Sequence, residues 1–476
     1  MEQSRSRVEE LAGTQAPVYG ISTGFGALAA TRIPPERRSE LQHALIRSHA
    51  AGVGPPLPVP AVRAMMTLRL RSLAMGYSGV RPAVALALAD LLNAGVTPLV
   101  PIHGSLGASG DLAPLAHVGL CLLGEGEAFD ASGRRQPAAD ALAAAGLRPL
   151  RLEVKEGLAL INGTDGMLGM LLLEAARAER LFVTADVTAA MSVEALLGTD
   201  RPFAAHLQVL RPQPGQARSA SNLTRMLDGS EIVASHRHST HAVQDSYSMR
   251  CAPQVAGAAR DTLDHVRAVA ARELEAAIDN PVVLPDGRVE SNGNFHGEPL
   301  AFAADFLAIA AAEVGAIAER RVDQLLDPHR SRGLPAFLAP EPGVNSGLML
   351  AQYTAAALVA ENRRLAAPAS VDSIPTSGMQ EDHVSMGWGA CLKLQRLLDN
   401  LAYILAVELV CAAEALDLRM PPEPAHGTAG VRDLVRTRVP RAGPDRPLAP
   451  ELEAAAELVN SGDVRRAAEA AVGELA

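Results

Sequence analysis

Apolar residues recur at helical steps through most of this chain. Leu41, Leu45 and His49 stand four residues apart within 35–51 and therefore share one face of a predicted helix. Val62, Met66, Leu70 and Leu73 mark a second helix, while Val84, Leu88 and Leu91 mark a third, opened by Pro82 and closed by Gly95. Leu112, Leu115, Val118 and Leu122 mark a fourth, with Asp111 placed to cap it, Pro114 tolerated in its first turn and Gly124 to stop it. Longer apolar helices follow from about Gly166, from Pro253 to about Ala277, from Pro299 to Leu326 and from Ser346 to Arg364. The last long one is expected to open at Glu381 and Asp382 and run to Leu416, with Trp388, Leu394, Leu398, Leu401 and Leu405 along it; it would span about 50 Å at 1.5 Å per residue. Between these, 124–150 reads as a hairpin or loop with a short helix, and 213–241 as a polar stretch. Residues 282–289 read as a short hairpin turning at Pro285-Asp286-Gly287, and 421–450 as a proline-rich linker before two terminal helices.

Composition sharpens this picture. Aromatic residues make up only 3%, so the core must be built from Ala, Leu, Val, Met and Ile, a mixture that favours close helix packing over sheet. The expected class is mainly α: a long-helix bundle with a smaller N-terminal mixed domain. We expect a division into 1–195 and 196–476, the first carrying the glycine-rich loop described below and the second the central bundle and C-terminal helices. The formal net charge of −10 argues against nucleic acid as a partner. Cys121, Cys251, Cys391 and Cys411 lack paired spacing, which indicates neither a disulfide framework nor a zinc cluster. The N-terminal ten residues are charged throughout, and the longest helix-compatible run without charge, 342–360, contains Asn345, Gln352 and Thr354. A cytoplasmic protein without a membrane span is expected.

The stretch Gly104-Ser105-Leu106-Gly107-Ala108-Ser109-Gly110-Asp111 is a poor structural segment and a good chemical one. Four small residues, Gly107 to Gly110, let backbone approach backbone, and the helix that follows places its positive end beside them. A nucleophile elbow would need glycine where Asp111 stands. A phosphate loop would need a Lys-Ser or Lys-Thr pair, and no lysine is near. From the residues alone, a tight turn before a helix is the favoured reading.

Other polar residues attract attention for similar reasons. Gly24-x-Gly26-x-x-Ala29 superficially matches a dinucleotide fingerprint, but no solid strand precedes it and no βαβ alternation follows, so a glycine-rich loop carrying Tyr19 is the better reading. His49 on an apolar helix face is ordinarily a satisfied core histidine. Asn162 before Gly163 is by default a turn residue. His236, His238 and His241 have no carboxylate or cysteine at ligand spacing, and no metal is expected. Gln244, Tyr247 and Arg250 recur every three residues, which would gather them on one side of a helical turn. Phe295 at a helix entrance is otherwise ordinary core.

The run from Gly104 to His117 resembles the signature of the aromatic amino acid ammonia-lyases. In that family an Ala-Ser-Gly triplet cyclises autocatalytically into a 4-methylidene-imidazole-5-one electrophile. The resemblance assigns Ala108, Ser109 and Gly110 to the ring. It extends over essentially 18–418: the tyrosine of a matching Tyr-Gly-x-x-Thr-Gly-Phe-Gly segment, here Tyr19, is the family's catalytic base. The segment Gln-Asp-x-Tyr-Ser-x-Arg-Cys-x-Pro-Gln makes Gln244, Tyr247 and Arg250 active-site residues. Tyr247 and Gln244 would line the reacting centre, and the Arg250 fork would pair with the substrate carboxylate.

The resemblance further implies that Asn162 holds the substrate amino group and that Phe295 packs on substrate and electrophile. Ser48-His49 and Gln380-Glu381-Asp382-His383 are similar to the histidine-specific branch, in which His49 and Glu381 would meet an imidazole. The implied reaction is elimination of ammonia from L-histidine to give urocanate, in a homotetramer whose sites are shared between subunits. A tyrosine or phenylalanine lyase, or an aminomutase on the same electrophile, is the alternative within the family. A non-enzymatic helical scaffold is the alternative outside it. Members commonly carry a further segment before the matching tyrosine, whereas a short charged helix stands there in this chain.

Overall fold

The protein is described by a computed structural model covering residues 1–14, 16–239 and 241–476. It is dominated by helices, with three small antiparallel sheets of two or three short strands. The chain forms two compact units that interleave in sequence. The first comprises 1–173, 267–305 and 368–392, and the second 174–266, 306–367 and 393–476. A single cut after residue 195 was the expectation. The chain instead returns twice to the first unit, because long helices such as Asp165–Ala195, Glu298–Leu326 and Gly387–Arg419 each supply residues to both.

In the first unit, helices Arg38–His49, Leu112–Leu122 and Glu156–Ile161 pack on one another around buried Leu45, Ile46, Leu115 and Leu160. Each has one end at a chemically interesting place. The first ends at His49, the second begins just after Gly110, and the third ends just before Asn162. Helices Val59–Ala74 and Pro82–Asn93 pack together beside them. Strand Val53–Pro56 pairs with Pro101–His103, and Thr97–Pro98, Glu127–Phe129 and Arg135–Pro137 form a three-stranded sheet, so 124–150 is a hairpin followed by helix Ala138–Ala144. The hairpin Val282–Val283 with Val289–Glu290 forms as expected.

The second unit is a helical assembly with ionic groups in its core. Glu408 is fully buried and accepts hydrogen bonds from Arg321, Thr188 and Ser192. Asp186 accepts from Arg260, Ser219 and Asn222. This second cluster explains why the polar stretch 213–241 is helical over Pro214–Met226: Ser219 and Asn222 spend their side chains on a buried carboxylate rather than on water, while Ser230 caps a second short helix, Glu231–Ser235. The proline-rich segment likewise contains a helix, His426–Arg436, which packs on Asp463–Val472 and whose Arg436 pairs with Glu414 and Asp417. Two segments, Glu156–Ala195 and Glu298–Leu326, are long and apolar enough to span a bilayer by length and composition, but most of the first and over half of the second is buried within the protein, as core helices are.

Candidate active site

The glycine-rich loop is folded back on itself. Gly107, Ser109 and Gly110 have φ of 74°, 53° and 81°, a left-handed region that a serine occupies only at a cost of about 1–2 kcal/mol. Gly110 is pressed against a neighbouring turn: a Cβ there would lie 2.2 Å from the Gly163 carbonyl oxygen. Gly107 meets the start of helix Gly387–Arg419, and its Cβ would lie 2.1 Å from Ser385 Oγ. A tight turn flanked by glycines whose missing Cβ atoms allow such close approach is what closure of the Gly110 nitrogen onto the Ala108 carbonyl demands, so the residues present fit the ring that the resemblance implies.

Asp111 secures this geometry. It was expected to cap the helix that follows it, yet its side chain makes no bond there. Its Oδ2 instead accepts the N–H groups of Gly166 and Met167 at 2.9 Å each, capping the helix Asp165–Ala195, while its own N–H donates to Gly163 O at 2.7 Å. Ser105 Oγ donates to Oδ1 at 3.2 Å. Burial pushes the Asp111 carboxyl up to about 7, against the opposing effect of those donors. Met386 N–H donates to Leu106 O at 2.8 Å, so three helix N-termini, at Leu112, Asp165 and Gly387, gather about the loop.

A cavity of about 450 Å³ opens over Ser109, and its wall carries Tyr19, His49, Asn162 and Glu381. Its apolar side is made by residues such as Phe25, Leu45 and Ile161. Five residues singled out from distant parts of the sequence therefore meet in one place. Asn162 Nδ2 donates to Asn280 O at 2.7 Å, and its Oδ1 is buried without a hydrogen-bond partner among the described residues. That orphaned acceptor suits an ammonium donor. Behind it lies a buried support: Lys155 Nζ pairs with Asp279 Oδ2 at 2.7 Å, and Arg69 donates to the Asn162 carbonyl at 3.1 Å.

Tyr19 Oη accepts the Gly26 N–H at 3.2 Å. A phenol, with an ordinary pKa of about 10, needs a positive field to act as a base near neutral pH. Within the first unit the balance runs the other way: burial raises it, the Gly26 donor lowers it, and the Glu381 charge raises it further. Burial holds the His49 imidazole below its ordinary value, so it is neutral at pH 7, with Ser48 Oγ 3.1 Å from its Nδ1. Glu381 does not open a helix as expected, since the helix begins only at Gly387. It closes a turn with Thr376, whose Oγ1 donates to Glu381 Oε2 at 2.7 Å. Neither Thr376 nor Asn280 carried a readable signal, because each acts through a fold-dependent contact.

The remaining candidates stand elsewhere. Phe295 is half-buried in the loop before helix Glu298–Leu326 and is not on the cavity wall. Beside it, ligand atoms of His296, Glu298 and His383 lie within 4.8 Å of one another. The two imidazoles are stacked with an interplanar angle of 7°, so their in-plane lone pairs run in parallel planes and do not converge on an ion. Gln244, Tyr247 and Arg250 belong to the second unit. They do not share a helical face: only Tyr247–Arg250 is helical, because Asp245 is pinned by Arg332 and by the Thr199 N–H. Arg250 stacks on the Tyr247 ring at 4.6 Å, and Tyr247 is 71% exposed. His236 directs both ring nitrogens at backbone carbonyls, of Ile232 and Gly198.

Comparison with known proteins identifies the family. A family model described as aromatic amino acid lyase matches residues 1–437. A histidine ammonia-lyase of Streptomyces avermitilis is 57% identical over 474 residues, covering 99% of this chain and 93% of the relative. The crystal structure of histidine ammonia-lyase from Trypanosoma cruzi superposes with a TM-score of 0.90 at 40% identity, covering 99% of this chain and 89% of that one. A tyrosine aminomutase structure from Streptomyces globisporus gives 0.93 at 39% identity, covering 100% and 93%. The chain belongs to the aromatic amino acid lyase family and is built as a carbon–nitrogen lyase.

Proposed function

We propose that this protein eliminates ammonia from L-histidine to give urocanate. The observation that carries the reading is the convergence of Tyr19, His49, Ser109, Asn162 and Glu381 on one cavity of the first unit. Ala108, Ser109 and Gly110 would form 4-methylidene-imidazole-5-one, which supplies an electron sink that makes the substrate amine a better leaving group. Every other task falls to side chains.

The unpaired Asn162 Oδ1 receives the substrate ammonium and orients it over the loop. Glu381 and neutral His49 take the imidazole, one as acceptor and one as a tautomer-dependent partner. Tyr19, held through its oxygen by Gly26 N–H, removes the β-proton. An imidazole that covers Glu381 weakens the charge opposing Tyr19 ionisation, so the correct substrate helps prepare its own base.

Arg250 is assigned to the substrate carboxylate, with Tyr247 and Gln244 near the reacting centre and Phe295 against the substrate. Support comes from an Arg250 Nε without a hydrogen-bond partner among the described residues and from the exposed Tyr247 ring beside it. These residues would reach the cavity from neighbouring subunits of a homotetramer. Exposed apolar pairs at helical spacing in the second unit, Phe306 with Ile309 and Leu350 with Tyr353, offer surfaces for that assembly.

The test is direct. Incubation with L-histidine produces a conjugated ultraviolet-absorbing product, and the loop peptide is lighter by two waters. Preferential turnover of L-tyrosine or L-phenylalanine would transfer the protein to another branch of the family. No product from any aromatic amino acid would favour a scaffold.

A further inference from the structure

The turn 376–381 carries more than recognition of an imidazole requires. Ser377, Gly378 and Met379 follow one another with φ of 49°, 61° and 72°, and two of the three bear side chains that disfavour this region. Such backbone persists where its surroundings over-determine it. Thr376 N–H donates to Glu381 O at 2.9 Å, Glu381 N–H returns to Thr376 O at 3.3 Å, and Thr376 Oγ1 donates to Glu381 Oε2 at 2.7 Å. A further bond leaves the turn: Ser377 Oγ accepts the Ala27 N–H at 3.3 Å. Ala27 neighbours Gly26, whose N–H holds Tyr19 Oη, and a Cβ on Gly26 would stand 2.5 Å from Ser377 Oγ.

We infer that this turn is a clasp in which Thr376 and Ser377 are positioning residues, Thr376 aiming the Glu381 carboxylate into the cavity and Ser377 fastening the same turn to the Tyr19 loop. The inference rests on the roles proposed above for Glu381 and Tyr19. The Thr376 hydroxyl commits its proton to Oε2, which fixes the carboxylate rotamer and leaves Oε1 for the substrate ring. Ser377 then makes placement of the imidazole partner and placement of the base one structural event.

The experiment uses the full-length protein carrying Thr376→Val, Thr376→Ser, Ser377→Ala or Glu381→Gln, each checked by loop-peptide mass for equal maturation. L-Phenylalanine, which has no ring N–H for Glu381, serves as inhibitor or slow substrate. Thr376→Val raises KM for L-histidine about tenfold, the worth of an orienting hydrogen bond to a charged group, with a smaller fall in kcat and an unchanged affinity for L-phenylalanine. Thr376→Ser restores KM. Ser377→Ala lowers kcat roughly tenfold without that loss of histidine affinity. If Thr376→Val leaves KM for histidine within twofold, or weakens both amino acids together, the clasp is wrong. An unchanged kcat in Ser377→Ala removes the fastening to Tyr19. Should Glu381→Gln itself leave histidine affinity untouched, the underlying assignment of Glu381 fails, and the clasp with it.

Discussion

The side-chain amide of Asn162 donates to the carbonyl of Asn280 at 2.7 Å and keeps its own oxygen unpaired at the cavity. The donor half is anchored, so the acceptor half cannot swing away from the cavity. With Asn162 in the role proposed for it, Asn162→Ala removes a bond to a charged amine and is expected to lower kcat/KM by about 1.5–3 kcal/mol, roughly ten- to a hundredfold. Lys155→Met acts at one remove: it leaves Asp279 buried without its cation, a change that costs about 3–5 kcal/mol, and lowers both Tm and kcat/KM. Thermal melts with steady-state kinetics on both variants check the order of these effects.

Asp111 links the reactive loop to a helix some fifty positions further on, and its removal is expected to stall loop chemistry. Asp111→Ala uncaps Gly166 and Met167, and the intact-protein mass retains the two waters. Asp111→Asn keeps an acceptor and matures further than the alanine variant. There is also a pH signature. With a carboxyl at about 7 in the native state against 3.8 ordinarily, the folded protein holds a proton that the unfolded chain has released between those values. Stability from this group therefore falls as pH rises from about 4 to about 7, and Asp111→Asn flattens that part of a denaturation series.

These contacts mark the boundary of what was legible in the chain. Helices with apolar residues at three- and four-residue steps were placed to within a few residues, the start of Gly387–Arg419 excepted, because burial of one face is a local pattern. Helix Pro214–Met226 was missed because its buried face mixes apolar Ala220, Leu223 and Met226 with Ser219 and Asn222, whose side chains are satisfied by Asp186, a partner from another helix. Asp111 was given to the wrong helix for the same reason: a capping residue announces that it will cap, not which N-terminus lies nearest in space. The family resemblance named Tyr19, His49, Ser109, Asn162 and Glu381, and the cavity gathers them. It could not reveal Thr376 or Asp279, whose work depends on a turn register and a buried pair.

Glu381 acts on Tyr19 through its charge, and the sign of that effect can be read in a pH profile. The carboxylate raises the phenol's pKa, so Glu381→Gln lowers it, and with Tyr19 as the proposed base the acidic limb of kcat/KM is expected to move to lower pH. On the role proposed for Glu381, the same substitution is expected to reduce histidine turnover by removing an imidazole partner. A variant with lower activity and an acidic limb displaced upward would contradict this account of the base.

Arg321 and Glu408 test the second unit independently of any chemistry. Their side chains are 2% and 0% exposed, and Thr188 and Ser192 occupy the carboxylate as well, at 2.7 and 2.8 Å. Truncating one member strands the other. Glu408→Ala leaves an Arg321 guanidinium in the core without its counter-charge and is expected to destabilise the protein by about 3–5 kcal/mol. Replacing both with Met and Leu restores much of this loss, since an apolar pair of similar volume avoids the desolvation that the ions suffered. Chemical denaturation of the single and double variants separates the two cases: if the double variant is as unstable as Glu408→Ala, the pair contributes net stability and is more than a satisfied burial.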